Sequence, residues 1–245
     1  MCGRYVSATP PDQIAAYFGA DALGETLAEP SYNVAPTTQV PVVYEPRPTD
    51  EQPESPRTLD LFKWGLIPFW AKDEKIGNRM INARSETAAE KNSFKRSLAG
   101  RRCIIPADGF YEWKKLPDSK TKLPMYITRN DGALFAFAGL HDSWRGPDRD
   151  LDPLRSCTIL TTTANEKMSE VHDRMPVMLP PSAWDEWLDP TNADVDALAR
   201  FFVPSPPELI SLTPVSTAVN SSRNRGAHLI EPLDDEVLAA IVSGA

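Results

Sequence analysis

Residues 101–115 read RRCIIPADGFYEWKK, and two further runs follow: LPMYITR (123–129) and ALFAFAGL (133–140). Each is rich in β-branched and aromatic residues and bounded by Pro, Gly, Asn or Asp, the punctuation of strands. Asn130-Asp131-Gly132 between the last two runs reads as a hairpin turn. The same pattern recurs outward in QVPVVYE (39–45), TLDLFKWG (58–65), CTILTTT (157–163) and ELISLTP (208–214). Helices are expected to be short. One runs from Pro11 to Phe18, and another from Ser85 to Leu98 behind a serine cap. Ser182–Leu188, Ala193–Phe202 and Asp234–Val242 complete the set. Strands and helices do not alternate regularly, so a doubly wound parallel sheet is excluded. The expectation is an α+β fold around a curved, barrel-like, mostly antiparallel sheet flanked by short helices, in one domain spanning 1–245. The proline-rich acidic stretch EPRPTDEQPESP (45–56) cannot bury a core and is expected to be a mobile surface loop; RGPDRDLDP (145–153) is a second polar loop.

The 245 residues include 26 Lys plus Arg and 34 Asp plus Glu, a net charge of −8, which argues against coating nucleic acid by bulk charge and leaves room for a local basic cleft. Proline, at 24 residues, fixes many turns and limits helix length. No stretch is long and apolar enough to span a membrane, and the N-terminus lacks the basic and apolar regions of a secretory signal, so a cytoplasmic protein is expected. Three cysteines (Cys2, Cys103 and Cys157) without paired spacing fit a reducing compartment, and the scattered His141, His172 and His228 make no zinc pattern, so no metal and no cofactor is expected. His141 and His228 read as structural, and Cys103 and Cys157 as buried, inert thiols. A domain of this size can stand alone, so a monomer is expected.

Cys2 is the most informative residue. Removal of Met1 would leave a cysteine whose thiol (pKa about 8.5) and α-amine (pKa about 7.7–8.0) sit on adjacent carbons. Near neutral pH about a quarter of such amines are uncharged. The pair can capture an aldehyde twice, the amine condensing to an imine and the sulfur closing on the same carbon to give a five-membered thiazolidine. The plain alternative is a chance cysteine near a chain end.

Ordered motifs narrow the choice. Cys2-Gly3-Arg4-Tyr5 is followed by Tyr32-Asn33-Val34-Ala35-Pro36-Thr37 and Trp64-Gly65-Leu66-Ile67-Pro68-Phe69-Trp70. Next come Ile81-Asn82-Ala83-Arg84-Ser85-Glu86-Thr87, the run from Arg102 to Trp113, and Val171-His172-Asp173-Arg174-Met175-Pro176-Val177. In this order the chain resembles the SOS-response-associated peptidase (SRAP) family of abasic-site processing proteins, over residues 2 to about 220. The start Met1-Cys2-Gly3-Arg4 also resembles glutamine amidotransferases, but the Asn-Gly pair of those enzymes is missing. The Arg-Gly-Pro-Asp tetrapeptide at 145–148 lies too far along the chain and reads as coincidence.

The family resemblance implies a bifurcated, barrel-like sheet with a positive groove, binding of single-stranded DNA at abasic sites, and a covalent crosslink through the mature N-terminal cysteine. It also implies autocatalytic removal of Met1. Carried over by motif, Cys2 is the nucleophile, Asn82 holds the N-terminal residue, Glu112 moves protons, and His172 is a general acid/base near the sugar. Glu112 lies between aromatics, where desolvation raises a carboxyl pKa; the alternative is a strand glutamate paired with Lys114 or Lys115. For His172 the alternative is a surface-loop histidine. Arg4, Arg84 and Arg174 each lie within two residues of one of these positions and are expected to converge on one cleft as DNA contacts. Pro68 and Trp70 are expected to stack on bases or wedge a duplex end, whereas Trp64 suits a core. Two other functions stand beside crosslinking: a cysteine peptidase or amidase using Cys2 and His172, and a reversible single-strand-binding module.

Overall fold

The computed structural model describes residues 2–22, 29–51, 53–117, 121–146 and 152–243. Met1, Gln52 of the acidic loop, and 147–151 of the second polar loop, with the end of its tetrapeptide, lie outside them. The strands in chain order are β1 (Tyr5–Ser7), β2 (Asp21–Ala22), β3 (Ser31–Val34), β4 (Gln39–Tyr44), β5 (Thr58–Trp64), β6 (Asn82–Arg84) and β7 (Arg102–Ala107). They continue with β8 (Gly109–Lys115), β9 (Lys122–Arg129), β10 (Phe135–Trp144), β11 (Leu154–Thr163), β12 (Arg174–Pro176) and β13 (Ile210–Pro214).

Two sheets form. One has five strands in the order β13-β9-β8-β1-β3, and the other runs β12-β11-β10-β7-β4-β5-β2. Parallel pairing of β11 with β5, Ser156 opposite Lys63, closes β5-β4-β7-β10-β11 into a five-stranded barrel, and β6 adds to β11 in parallel. The remaining barrel pairs are antiparallel. The chain is thus α+β with a bifurcated, barrel-like, mostly antiparallel sheet, as expected.

Strand alternation divides the core. On β10, Phe135 and Phe137 join a cluster that also takes Phe110 and Ile127 from the five-stranded sheet, so this layer bonds the two sheets. Ala136, Ala138 and Leu140 point the other way, into a cluster with Ile14, Phe18, Trp184 and Trp187. That second layer is covered by α1 (Pro11–Phe18), α2 (Ser85–Ala88), α3 (Lys95–Gly100) and, beyond α4 (Glu166–Ser169), by α5 (Trp184–Leu188) and α6 (Val195–Leu198); α7 (Asp235–Ser243) ends the described chain.

Two expectations need correction. Asn130-Asp131-Gly132 is a turn, with Gly132 at φ +70° and the Asp131 carboxylate accepting the Ala133 N–H at 3.1 Å, but β9 and β10 do not pair. β9 joins β8 and β13, and β10 joins β7 and β11. Turn chemistry sets the bend, while burial of the two faces sets the partners. The helix Ser85–Leu98 is two helices, because Asn92 and Ser93 interrupt it with groups that compete for backbone bonds. Ser85 is its first residue and makes no cap bond. At the start of the acidic loop, Arg47 donates to the Pro190 carbonyl (3.0 Å), and Glu45 pairs with Arg57 (3.0 Å).

Candidate active site and nucleic-acid interface

Pairing of β1 with β8 decides what faces the N-terminus. Tyr5 lies opposite Phe110, and the Tyr111 N–H donates to the Arg4 carbonyl at 2.9 Å, which brings Glu112 alongside the Cys2-Gly3 segment. Cys2 is fully buried in the core layer that also holds Tyr5 and Trp64, whose rings meet edge-on at 5.2 Å. Asn82, the first residue of β6, donates from Nδ2 to the Cys2 carbonyl at 2.8 Å. β6 itself is fixed by β11, with Asn82 opposite Ile159.

Burial pushes the Cys2 thiol far above its usual range, and the Glu112 charge adds to that rise while the Arg4 backbone N–H opposes it. Glu112 is only 4% exposed, and burial pushes its carboxyl up to about 7, with the Lys122 charge working against the shift. Each group therefore disfavours ionisation of the other, and a proton leaving sulfur has a nearby acceptor poised for pH 7. Lys114 pairs with Glu170 (3.7 Å) rather than with Glu112. That pair ties β8 to the segment carrying His172, and Lys122 acts electrostatically on both Glu112 and His172.

His172 follows α4, its backbone N–H donating to the Met168 carbonyl at 3.0 Å. Its Nδ1 accepts the Arg174 N–H at 3.0 Å and lies 2.9 Å from an exposed Asp173 oxygen. Burial lowers its pKa, only partly offset by Asp173. That lowering favours the neutral ring at pH 7.

The three arginines separate. Arg174 grips Glu86 with both terminal nitrogens (2.6 and 2.9 Å) and donates to the Thr161 carbonyl at 2.6 Å. Arg84 is exposed on β6 opposite Thr161, and its charge also acts on Glu86, so these two gather around one carboxylate. Arg4 is committed elsewhere: its guanidinium donates to Asn33 Oδ1 (2.7 Å) and the Val219 carbonyl (2.9 Å). Asn33 is itself buried and donates to the Val219, Ser221 and Asn224 carbonyls, so Arg4 is a clasp between β3 and the 217–224 segment. Asn33 stood in a quoted motif without a role; only its buried donor set reveals one.

The aromatic segment is rigidly held. Gly65, at φ +131°, passes so close to Gly77 that a Cβ would lie 2.6 Å from its carbonyl oxygen. The Ile67 and Phe69 N–H groups donate to Ser156 Oγ (2.8 Å) and Asp142 Oδ2 (2.9 Å), and Trp144 Nε1 donates to the Ala71 carbonyl (2.7 Å). Trp64 is buried and bonds the Ile81 carbonyl (2.9 Å), as its core reading requires. Pro68 is buried, so it shapes this turn and offers no stacking face. Trp70 is 46% exposed, and Phe69 of the same apolar segment is 50% exposed. Cys103 and Cys157 are buried with raised pKa values, and half-buried His141 is pushed down to about 3 by desolvation. Among the described residues, no group of three or more His, Cys, Asp or Glu could hold a metal ion, and no helix is long and apolar enough to cross a membrane.

Comparison with known proteins places the chain in a family. The family model described as SOS response associated peptidase (SRAP) matches residues 1–222. Abasic site processing protein YoqW of Bacillus subtilis (strain 168) is 47% identical over 232 residues, covering 94% of this chain and 99% of the relative. Abasic site processing protein HMCES of Gallus gallus is 33% identical over 234 residues, covering 86% and 69%. A crystal structure of a protein from Bacteroides thetaiotaomicron shares the fold with a TM-score of 0.81 at 24% identity, covering 95% of this chain and 100% of that one. With the family model matching most of its length and the fold shared throughout, the chain belongs to the SRAP family.

Proposed function

We propose that the chain processes abasic sites in single-stranded DNA by capturing them as a covalent adduct on Cys2, once Met1 has been removed. The observation that carries this reading is a buried cysteine at position 2 whose carbonyl is held by Asn82 and whose thiol lies in the field of a carboxyl titrating at about 7. The names of the relatives, abasic site processing proteins, support the choice of substrate.

Removal of Met1 is hydrolysis of the Met1–Cys2 amide, autocatalytic in this reading, and it frees the α-amine. The abasic sugar is a hemiacetal in equilibrium with its aldehyde. Neutral His172 acts as the general acid/base beside the sugar oxygen as the ring opens. The Cys2 amine then bonds the aldehyde carbon, and protonated Glu112 gives its proton to the departing hydroxyl, so that water leaves and a protonated imine remains. Sulfur adds to the same carbon as its proton returns to the Glu112 carboxylate, and the electron pair released to the iminium nitrogen leaves it a neutral ring N–H. One water is lost overall, and the thiazolidine shields the site from strand cleavage. Arg84 and Trp70 supply phosphate and base contacts on one protein copy, with Arg174 held in reserve by Glu86.

Denaturing gels of protein mixed with an abasic strand test this directly. Untagged protein is expected to give a persistent adduct, and protein carrying a residue ahead of Met1 that resists removal is expected to give none. Cys2→Ser keeps the amine and is expected to give only an adduct that needs borohydride to survive. A persistent adduct with a blocked terminus contradicts the thiazolidine. Amide turnover without DNA favours the peptidase reading instead.

A further inference from the structure

A cavity of about 590 Å³, separate from Cys2, is lined by Arg47, Arg96, Arg101, Arg155, His141 and Ser143. Four guanidiniums around one hollow are out of keeping with a chain of net charge −8. Arg101 pairs with Asp142, and Arg155 with Asp60 and Tyr44. Arg47 and Arg96 have no carboxylate partner among the described residues: Arg47 meets only the Pro190 carbonyl, and Arg96 lies over the Phe69 ring at 4.1 Å. Glu45, the one acid on the wall, is held by Arg57. His141 stays neutral under its burial and the Arg101 and Arg155 charges, and its Nδ1 has no hydrogen-bond partner among the described residues. Tyr44 and Phe62 complete an aromatic wall against the His141 ring, 5.4 and 5.3 Å away.

We propose that this cavity binds a nucleotide through its phosphomonoester dianion. Uncompensated Arg47 and Arg96 ask for more than the single charge of a phosphodiester, and a phosphomonoester carries about −1.5 to −2 at pH 7. Ser143 and His141 are neutral groups able to bond its oxygens, and the volume suits one nucleotide. The phosphate belongs either to a free nucleotide or to the phosphorylated end of a DNA strand. Two contacts link the wall to the Trp70 turn and make the strand end reachable. Arg96 stacks on Phe69, and Asp142, the Arg101 partner, accepts the Phe69 N–H.

The test uses full-length protein and strands without an abasic site, so it is independent of Cys2 chemistry. Calorimetric titration with deoxyadenosine 5′-monophosphate is expected to saturate with a Kd of about a millimolar or tighter, and uncharged deoxyadenosine to show no binding. Strands with a 5′-phosphate and a 5′-hydroxyl are compared in parallel. Tighter binding of the phosphorylated strand alone assigns the site to a strand end, and nucleotide binding without an end effect assigns it to the free nucleotide. Arg96→Gln changes an exposed side chain, and Arg47→Gln/Arg96→Gln with an unchanged melting curve is expected to weaken whichever binding is seen by about tenfold or more. The proposal is overturned if neither probe binds through its phosphate, or if binding survives the double substitution unchanged.

Discussion

Replacing Glu112 with Gln separates what this residue does for chemistry from what it does to stability. Its carboxyl rises from 4.5 to about 7, chiefly through burial. At low pH it is protonated in both folded and unfolded chains and has no effect. Between 4.5 and about 7 the unfolded chain ionises first, so stability falls as pH rises, and above about 7 the full penalty is in place. A shift of that size corresponds to about 3 kcal/mol, an order-of-magnitude value for so buried a group. Glu112→Gln keeps the shape and removes the ionisation, so at pH 8.5 the variant is expected to be more stable than the parent by up to about 3 kcal/mol, with the difference gone near pH 4. Urea unfolding at the two pH values reads this. The same substitution removes the group that exchanges protons with Cys2, and crosslinking is expected to slow by about 100-fold to 10,000-fold and lose its inflection near pH 7. Parallel stability curves for the two proteins, or an unchanged pH–rate profile, would refute the assignment of a raised, proton-sharing carboxyl.

Glu86→Gln releases both terminal nitrogens of Arg174 from their carboxylate. Affinity for single-stranded DNA is expected to rise, with the log–log salt slope steeper by about 0.7 for one more neutralised phosphate; weaker binding would mean that Glu86 chiefly orients Arg174. Trp70→Ala is expected to weaken strand binding by about 1–3 kcal/mol with little change in Tm, because the ring is half exposed. Trp64→Ala, by contrast, opens a cavity in the core and is expected to cost about 3–5 kcal/mol of stability. Thermal melts beside binding isotherms distinguish the two, and a large loss of Tm in Trp70→Ala would argue against its role as a stacking platform.

The sequence carried the strand set of the barrel because β4, β5, β7, β10 and β11 are runs of β-branched and aromatic residues whose alternation survives in their burial. It did not carry their partners. Asn130-Asp131-Gly132 has hairpin chemistry, yet the chain there leaves one sheet for the other, since nothing local specifies which face must be covered. Three-residue strands such as β1, β6 and β12 also escaped, being too short for a periodicity to show. Cys2, Asn82 and Glu112, which stand in three separate motifs, lie together in the structure. The arginines were less legible, because charge at a sequence position says nothing of its partner. Arg4 is spent on Asn33, and Arg174 on Glu86. The cavity arginines come from three separate stretches of chain, around 47, 96–101 and 155, and have no signature in sequence at all.

The central claim is that the Cys2 amine and thiol together hold the abasic sugar. Intact-protein mass spectrometry of untagged protein mixed with a short single strand carrying one abasic site tests it most directly. The expected result is loss of Met1 followed by a mass gain of the oligonucleotide less one water. That gain should be absent in Cys2→Ala and unchanged in Cys103→Ala and Cys157→Ala. A terminus shown to begin at Cys2 that gains no such mass, or a gain that persists in Cys2→Ala, would contradict it.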